Sequence, residues 1–495
     1  MKENSTFFGA NGKFSNVNAT VGENGSFAPE GVARSNMDYS IGYSSAALSL
    51  IDLALESNDT SNSVDYLVYP ICFNMRHAIE LQLKEFWRSL EKLSHYRKVT
   101  LEEHRVFKIK ENPSLKKGLK AFPEVKESTT HDIGIFWDLI SEYAPIIDRR
   151  FLDVILLMSE ILSDIAEIDP TGQTFRYPSD TISKVHLVDT PLINIYALKI
   201  RFTYLRKVMC FLDDLIKWMK YEYSWCNITA HLSYFDIISA ANDMKQFIGK
   251  EEPYYKSAKS EILKKYKISS NEYSRLIKAV DCNYCINSII GNDNQPIYLN
   301  IDDFILFFNT LDELSPFEEY LDKTNQVGFN YVEYSPGKLF DEGYFEKIKK
   351  KIFIIQSFLD ALSPEKLAEI CSLYDYHKEI KYFEIYKDIL DKKASYYKNI
   401  HFDKKELYNE IKYYFDKTNF FEGVLSSLWS LNMKSIFQEI IDKYKLSDAY
   451  WYKGLISGEL HNSLSFYDEY VFKMSKLTDE LSKNDRVISI LRSDD

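Results

Sequence analysis

Apolar residues recur with helical spacing through most of the chain. Ile71, Met75, Ile79, Leu83, Phe86 and Leu90 fall at three- and four-residue steps, drawing one apolar stripe along a long helix. Pro70 reads as lying near the start of that helix, where its missing N–H costs little. The opposite face carries Asn74, Arg76, His77, Glu80, Lys84 and Arg88. Ser128, Thr129 and Thr130 supply capping hydroxyls, and His131-Asp132 opens a helix running through Trp137 and Leu139. Phe151 to Ile168 is a further amphipathic helix, ended by Asp169-Pro170-Thr171-Gly172. An irregular stretch from Thr174 to Asp180 follows, then a long helix from Leu192 to about Tyr223.

The remainder is also helical, with fresh start signals. Ser269-x-x-Glu272 and Ser315-Pro316-x-Glu318 read as capping boxes, and Ser363-Pro364 as another cap. No repeat period emerges. Gly249, Pro253, Gly291 and Pro296 punctuate the pattern between 225 and 300. The first residues differ: they are rich in Gly, Asn and Ser, and Val17, Ala19 and Val21 alternate ahead of Asn24-Gly25, a type I′ hairpin signal. The expected organisation is a hairpin or flexible arm over 1–38, a helical domain over 39–225, a helical connector over 226–300 and a second α-helical domain over 301–495. The fold class is mostly α.

Composition narrows the function classes. A chain of 495 residues exceeds one ordinary core, and 45% hydrophobic with 27% charged residues is a globular balance. The net charge of -12 argues against broad binding of nucleic acid or anionic membrane, while leaving room for a local basic patch. The six cysteines are scattered as reduced cytosolic residues would be, and Cys282-Asn-Tyr-Cys285 lacks the second Cys/His pair that a structural zinc needs. The start MKENSTFFGANGKF has no signal-peptide pattern and no uncharged apolar run reaches membrane-spanning length, so the expected location is cytoplasmic, without membrane insertion. The 36 Tyr and 32 Phe accompany abundant Lys, Ile and Asn, a profile that needs no functional cause. Walker A, dinucleotide Gly-rich, HExxH and GxSxG motifs are absent, and no cofactor is implied.

Three islands carry the chemistry: Tyr69-Pro70-x-x-Phe73-x-x-Arg76-His77-Ala78-Ile79-Glu80-Leu81-x-Leu83-Lys84, then His131-Asp132-Ile133, then Phe175-Arg176-Tyr177-Pro178-x-Asp180. Arg76, Glu80 and Lys84 lie one helical turn apart and form a ladder on one face, with His77 beside them. Brought together, these groups could bind phosphate through Arg and move protons through His. They read equally as an internal salt-bridge network, with Arg76 paired to Glu80 or Asp132 and Arg176 locking the Pro-containing loop.

In order and spacing the islands resemble a group of bacterial HEPN-like proteins, over roughly residues 40–225. The resemblance implies a four- or five-helix bundle, often dimeric. Many HEPN proteins are ribonucleases in toxin–antitoxin, CRISPR or abortive-infection systems, and others have lost catalysis and bind nucleotides or scaffold complexes. The catalytic HEPN pattern Arg-x4-6-His is displaced here. Arg88-x6-His95 and Arg97-x6-His104 lie too early in the chain, and the late helix holds Arg201 and Arg206 without a histidine.

Two other motifs compete. His131-Asp132-Ile133-Gly134 looks like the core of HD-type metal phosphohydrolases, with His77 upstream and Asp180 or Asp189 downstream. In that family the pair ends an apolar helix, whereas here it starts one. Residues 254–278 resemble a helix-turn-helix, one helix over Tyr254 to Tyr266, a tight Lys267-Ile268-Ser269 turn, then a second over Asn271 to Lys278, with seven Lys/Arg against Glu261 and Glu272. His231 and His461 are isolated and read as structural.

The resulting expectation is a HEPN-like component of a bacterial defence or toxin-type system. Its catalytic candidates are Arg76, His77, Glu80, His131 and Asp132, its ligand-binding candidates Lys84, Arg176, Tyr177 and Asp180, and no residue is assigned to a metal. The expected partners are a second copy of the chain, RNA or a nucleotide, and a further protein. A non-catalytic nucleotide-binding or scaffolding HEPN-like protein is the competing expectation.

Overall fold

The computed structural model describes residues 35–56, 63–125, 131–179, 185–226, 228–249, 252–325, 342–379, 382–401, 403–458 and 465–493. The expected hairpin around Asn24-Gly25, the caps Ser128 to Thr130, Asp180 and His461 lie outside them. The described residues are 79% helical, which places the protein in the all-α class. Among the described residues the only β pairing is one isolated bridge between Ser179 and Val185. No helix among the described residues is long and apolar enough to cross a membrane. The chain divides into two compact units, Met1–Lys217 with Lys473–Asp495, and Trp218–Phe472.

The first unit is built from α1 (Asn36–Glu56), α2 (Val64–Ser94), α3 (Lys98–Glu111), α4 (Ile133–Ile147), α5 (Arg150–Ile168) and most of α6 (Ile195–Trp225). The six stripe residues of α2 are all buried. α1 packs along α2 through Ser40, Ser44, Ala47, Ile51 and Ala54, small or slender side chains at alternating four- and three-residue steps. Their size lets the two backbones approach, and the Ser40 hydroxyl donates to the Ala78 carbonyl at 2.8 Å. Gln82 ties α2 to α6 through its side-chain amide and the Met209 carbonyl, 3.1 Å apart.

Pro70 lies inside α2, not at its start: Ser63 is the N-cap, its hydroxyl accepting from the Asp65 N–H at 3.3 Å. Proline there removes the donor for the carbonyl four residues earlier, at Tyr66, whose side chain is exposed. The late helix starts three residues beyond its expected start, at Ile195, where Asn194 accepts from the Ala197 N–H.

The last segment of the C-terminal helix, Ser465–Ser493, belongs to the first unit. Tyr204 donates to the Leu477 carbonyl at 3.2 Å, Lys207 pairs with Glu480 at 2.6 Å, and Leu477 and Ile488 are buried.

The second unit contains α7 (Tyr234–Met244), α8 (Tyr254–Ser257), α9 (Lys259–Tyr266), α10 (Ser270–Cys282), α11 (Tyr284–Asn287), α12 (Ile301–Leu314), α13 (Phe317–Asn325) and α14 (Glu342–Ala361). It continues with α15 (Pro364–Tyr376), α16 (Phe383–Ile400), α17 (Lys404–Phe415), α18 (Phe420–Ser430), α19 (Lys434–Tyr444) and α20 (Tyr452–Ile456). Much of the phenylalanine goes into its core, where the Phe307 ring meets those of Phe308, Phe358, Phe415 and Phe420. Glu369 is fully buried and accepts the backbone N–H groups of Ile297, Tyr298 and Leu299 at 2.7–2.8 Å, fastening the loop before α12. The Ser363 cap forms as expected, while α13 starts only at Phe317, its N–H directed to the Asp312 carboxylate at 2.8 Å.

Leu477→Ala should lower the unfolding free energy by about 2–4 kcal/mol, because it empties a buried position on the C-terminal helix. Lys207→Ala, which breaks an exposed ion pair, should change it by less than about 1 kcal/mol. Urea unfolding of the two variants checks the contrast.

Candidate functional site

Phe73, Arg76, His77, Glu80 and Lys84 share one side of α2 because they follow three- and four-residue steps. The first residues of α4 and the loop after α5 cover that side, so all three sequence islands converge. Arg76 is the point of convergence and is 3% exposed. Its Nη1 donates to Glu80 Oε2, its Nη2 to the carbonyls of His131 and Pro170, and its Nε to the Asp169 carbonyl at 3.1 Å. One guanidinium thus staples α2, the entry to α4 and the exit from α5.

The loop is shaped around this group. Asp169 is fully buried, its Oδ1 accepting from the Thr174 N–H at 3.1 Å and its Oδ2 lying 3.8 Å from Arg76 Nε. Gly172 has φ +77°, and a Cβ on it would stand 3.1 Å from the Arg76 guanidinium. Only glycine meets both conditions without strain. Burial and the charge of Asp169 push the nearby Cys72 thiol up to about 12, which makes it an inert core residue.

Glu80 is equally buried. Burial pushes its carboxyl upward, but bonds from Lys84, His131 and Arg76 outweigh this and hold it below the usual carboxylate range. Oε1 accepts from Lys84 Nζ at 2.7 Å and from His131 Nδ1 at 2.9 Å. An ionised carboxylate only accepts, so Nδ1 of His131 carries the proton and Nε2 is left for another partner. The His131 side chain is 61% exposed.

His77 is half-buried, stacked on Phe73 with centroids 5.7 Å apart and met edge-on by Tyr43 at 4.6 Å. Burial lowers its pKa; Glu80 opposes that shift, and the cations of Arg76, Lys84 and Arg176 reinforce it. It therefore holds a neutral imidazole near pH 7. Arg176 is exposed, its guanidinium 5.6 Å from the Phe73 ring centroid and 5.3 Å from that of Tyr177. Among the described residues it meets no carboxylate.

Phe73, Arg76, His77, Glu80, His131, Thr171, Gly172, Gln173 and Arg176 line a cleft of about 280 Å³. It presents two imidazoles and one unneutralised guanidinium above a neutralised, buried floor. The remaining candidates stand elsewhere. Asp132 is the N-cap of α4, accepting from the N–H groups of Gly134 and Ile135 at 2.8 and 3.2 Å. Lys84 is spent on Glu80, and Tyr177 lines the neighbouring groove that Thr171 and Gln173 share. Arg97 is buried at the start of α3, and His104 bonds Glu142 at 2.9 Å; neither they nor Arg88 and His95 line the cleft. Among the described residues no group of three or more His, Cys, Asp or Glu side chains is placed to hold a metal.

Sequence reasoning missed Asp169, Gly172, Gln173 and Tyr43. Asp169 and Gly172 lay in view as helix-ending residues, but nothing in their spacing marks them as partners of an arginine more than ninety positions earlier. The chain matches no protein-family model, no curated protein and no solved structure.

Gly172→Ala should destabilise the first unit by about 1–3 kcal/mol, through the forced φ and the displaced guanidinium. The acid limb of stability should resolve into two steps. His77 has a folded pKa below its ordinary 6.5, so its contribution is present above that value and fades as pH falls below it. Glu80 has a folded pKa below 4.5 and loses its contribution only at lower pH still. Thermal melts across pH should show His77→Ala removing the upper step and Glu80→Gln the lower.

Proposed function

We propose that the cleft binds a phosphate group of RNA or of a nucleotide, and that the protein is a HEPN-like component of a bacterial defence or toxin-type system with metal-independent ribonuclease chemistry. Arg176 is the observation that carries this reading. A guanidinium held between two aromatic rings, open to solvent and without a carboxylate, suits a phosphate, which it can engage through two parallel N–H bonds. The defence role and the homodimer rest on the resemblance of the three islands alone, and the cytoplasmic location on the scattered cysteines.

The chemistry follows from the two imidazoles. His77, neutral near pH 7, takes the proton of a ribose 2′-hydroxyl as that oxygen attacks the adjacent phosphorus. His131 acts in its doubly protonated form: it keeps its Nδ1 proton on Glu80 and delivers its Nε2 proton to the departing 5′-oxygen as the P–O bond breaks, ending as the neutral Nδ1–H tautomer. Arg176 balances the charge that gathers on the phosphoryl oxygens. The products are a 2′,3′-cyclic phosphate and a free 5′-hydroxyl. This pair of histidines differs from the late-helix Arg/His motif of catalytic HEPN proteins, and Arg76 takes no part in the transfer.

Total RNA incubated with the purified protein should be cleaved with or without EDTA, and the His77→Ala/His131→Ala variant should lose about two orders of magnitude or more in rate. Cleavage abolished by EDTA would overturn this chemistry in favour of a metal-dependent one. Absence of cleavage, with thermal stabilisation by a mononucleotide, would leave the cleft a binding site alone.

A further inference from the structure

The second unit carries a three-helix arrangement unrelated to the cleft. α7 packs against both α9 and α10, and Ile237, Ile238, Ala241, Ile262, Tyr273, Leu276 and Val280 are buried in the core it joins. α9 ends at Lys267 in the left-handed conformation, φ 53° and ψ 41°, and Ser269 caps α10 by accepting from the Glu272 N–H at 3.2 Å. Ile268 is buried between them. The connection is therefore a three-residue turn, Lys267 to Ser269, with its geometry fixed at both ends. The single first helix expected over Tyr254–Tyr266 is broken at Ala258, which leaves α9 as a two-turn helix before that turn.

The outward faces are mostly basic and polar, and their exposed carboxylates, Glu261 and Asp281, accept from Gln246 and Tyr254. On α10, Ser270, Asn271, Ser274, Arg275 and Lys278 are exposed and follow one helical stripe, opposite the buried Tyr273, Leu276 and Val280. On α9 and its flanks, Lys256, Lys259, Lys264 and Lys267 are exposed and meet no carboxylate among the described residues. Lys265 pairs with Asp243 at 2.6 Å and Arg275 with the buried Glu272 at 3.1 Å, the latter with its side chain still 66% exposed. Glu261 is turned toward Gln246. In a chain of net charge -12, this leaves a cationic surface in which Lys256, Lys259, Lys264, Lys267 and Lys278 form no ion pair among the described residues.

We propose that α9 and α10 form a helix-turn-helix that binds double-stranded DNA, with α10 in the major groove and the lysines of α9 on the flanking phosphates. The stripe supports this assignment. Asn and Arg are the side chains that pair bidentately with adenine and guanine edges, and Ser serves either. The lysines supply the sequence-independent part of the affinity. Duplex RNA is a poor fit, because its deep, narrow major groove does not admit a helix. The proposal stands on the second unit alone and is independent of the chemistry proposed for the cleft.

Fluorescence anisotropy with the full chain and a labelled DNA duplex of about 25 base pairs tests it, with a single-stranded RNA of equal length as comparison. Affinity for the duplex should fall linearly on a log–log plot against salt. The Lys259→Glu/Lys264→Glu/Lys278→Glu variant should bind at least about tenfold more weakly, with a salt slope lower by roughly three. These lysines are exposed, so its melting temperature should stay near that of the parent, and Arg275→Ala gives a second, milder variant. Absence of duplex binding at low salt, binding that survives charge reversal, or a preference for the single-stranded RNA would each overturn the proposal.

Discussion

Everything in the first unit's cleft depends on one buried guanidinium. Arg76 is removed from water, and its donors are taken up by Glu80 and by the carbonyls of three residues in two other segments. A buried charge survives only when fully paired and hydrogen-bonded, so the surrounding chain is constrained to supply those acceptors in place. The loop after α5 turns at Gly172 because any side chain there would press on the guanidinium. α4 begins where it does because Asp132 caps it and the His131 carbonyl faces Arg76.

This constraint divides the charged residues into two groups. Arg76, Glu80, Lys84 and Asp169 neutralise one another and form the floor. His77, His131 and Arg176 stand on it with unused valence toward the cleft. The floor also reaches the upper groups: Glu80 fixes the tautomer of His131, and the floor cations help keep His77 neutral. A neutral imidazole at His77 and an oriented one at His131 are therefore products of one network, beside which the Arg176 guanidinium stands against Phe73 and Tyr177.

Legibility in the sequence followed the length scale of each interaction. The α2 stripe was readable because burial repeats with helical spacing, while the α4 start was read two residues early, at His131, because Asp132 was taken as helical and is the N-cap. The three islands were recognisable as a set, yet the sequence could not separate ladder residues held internally from those facing outward. Arg76, Lys84 and Arg176 look alike until burial distinguishes them. α1 was hard to read in detail because its packing face uses Ser40, Ser44 and Ala47, chosen for size and not hydrophobicity. Asp169 and Gly172 were taken as helix punctuation, a local role they also fulfil, while their long-range partner was invisible. The return of the C-terminal helix to α6, through Tyr204 and Leu477, links residues 273 positions apart and leaves no trace in any local pattern.

The assignment of Arg76 to the floor and Arg176 to the open cleft is tested most directly by comparing the stabilities of two matched variants. Arg76→Met should lower the unfolding free energy by about 3–5 kcal/mol, since it leaves Asp169 without its cation, Glu80 without the donor to Oε2 and three carbonyls without theirs in a dry site. Arg176→Met should change it by less than about 1 kcal/mol. An Arg76→Met protein as stable as its parent, or an Arg176→Met protein that unfolds, would contradict the account.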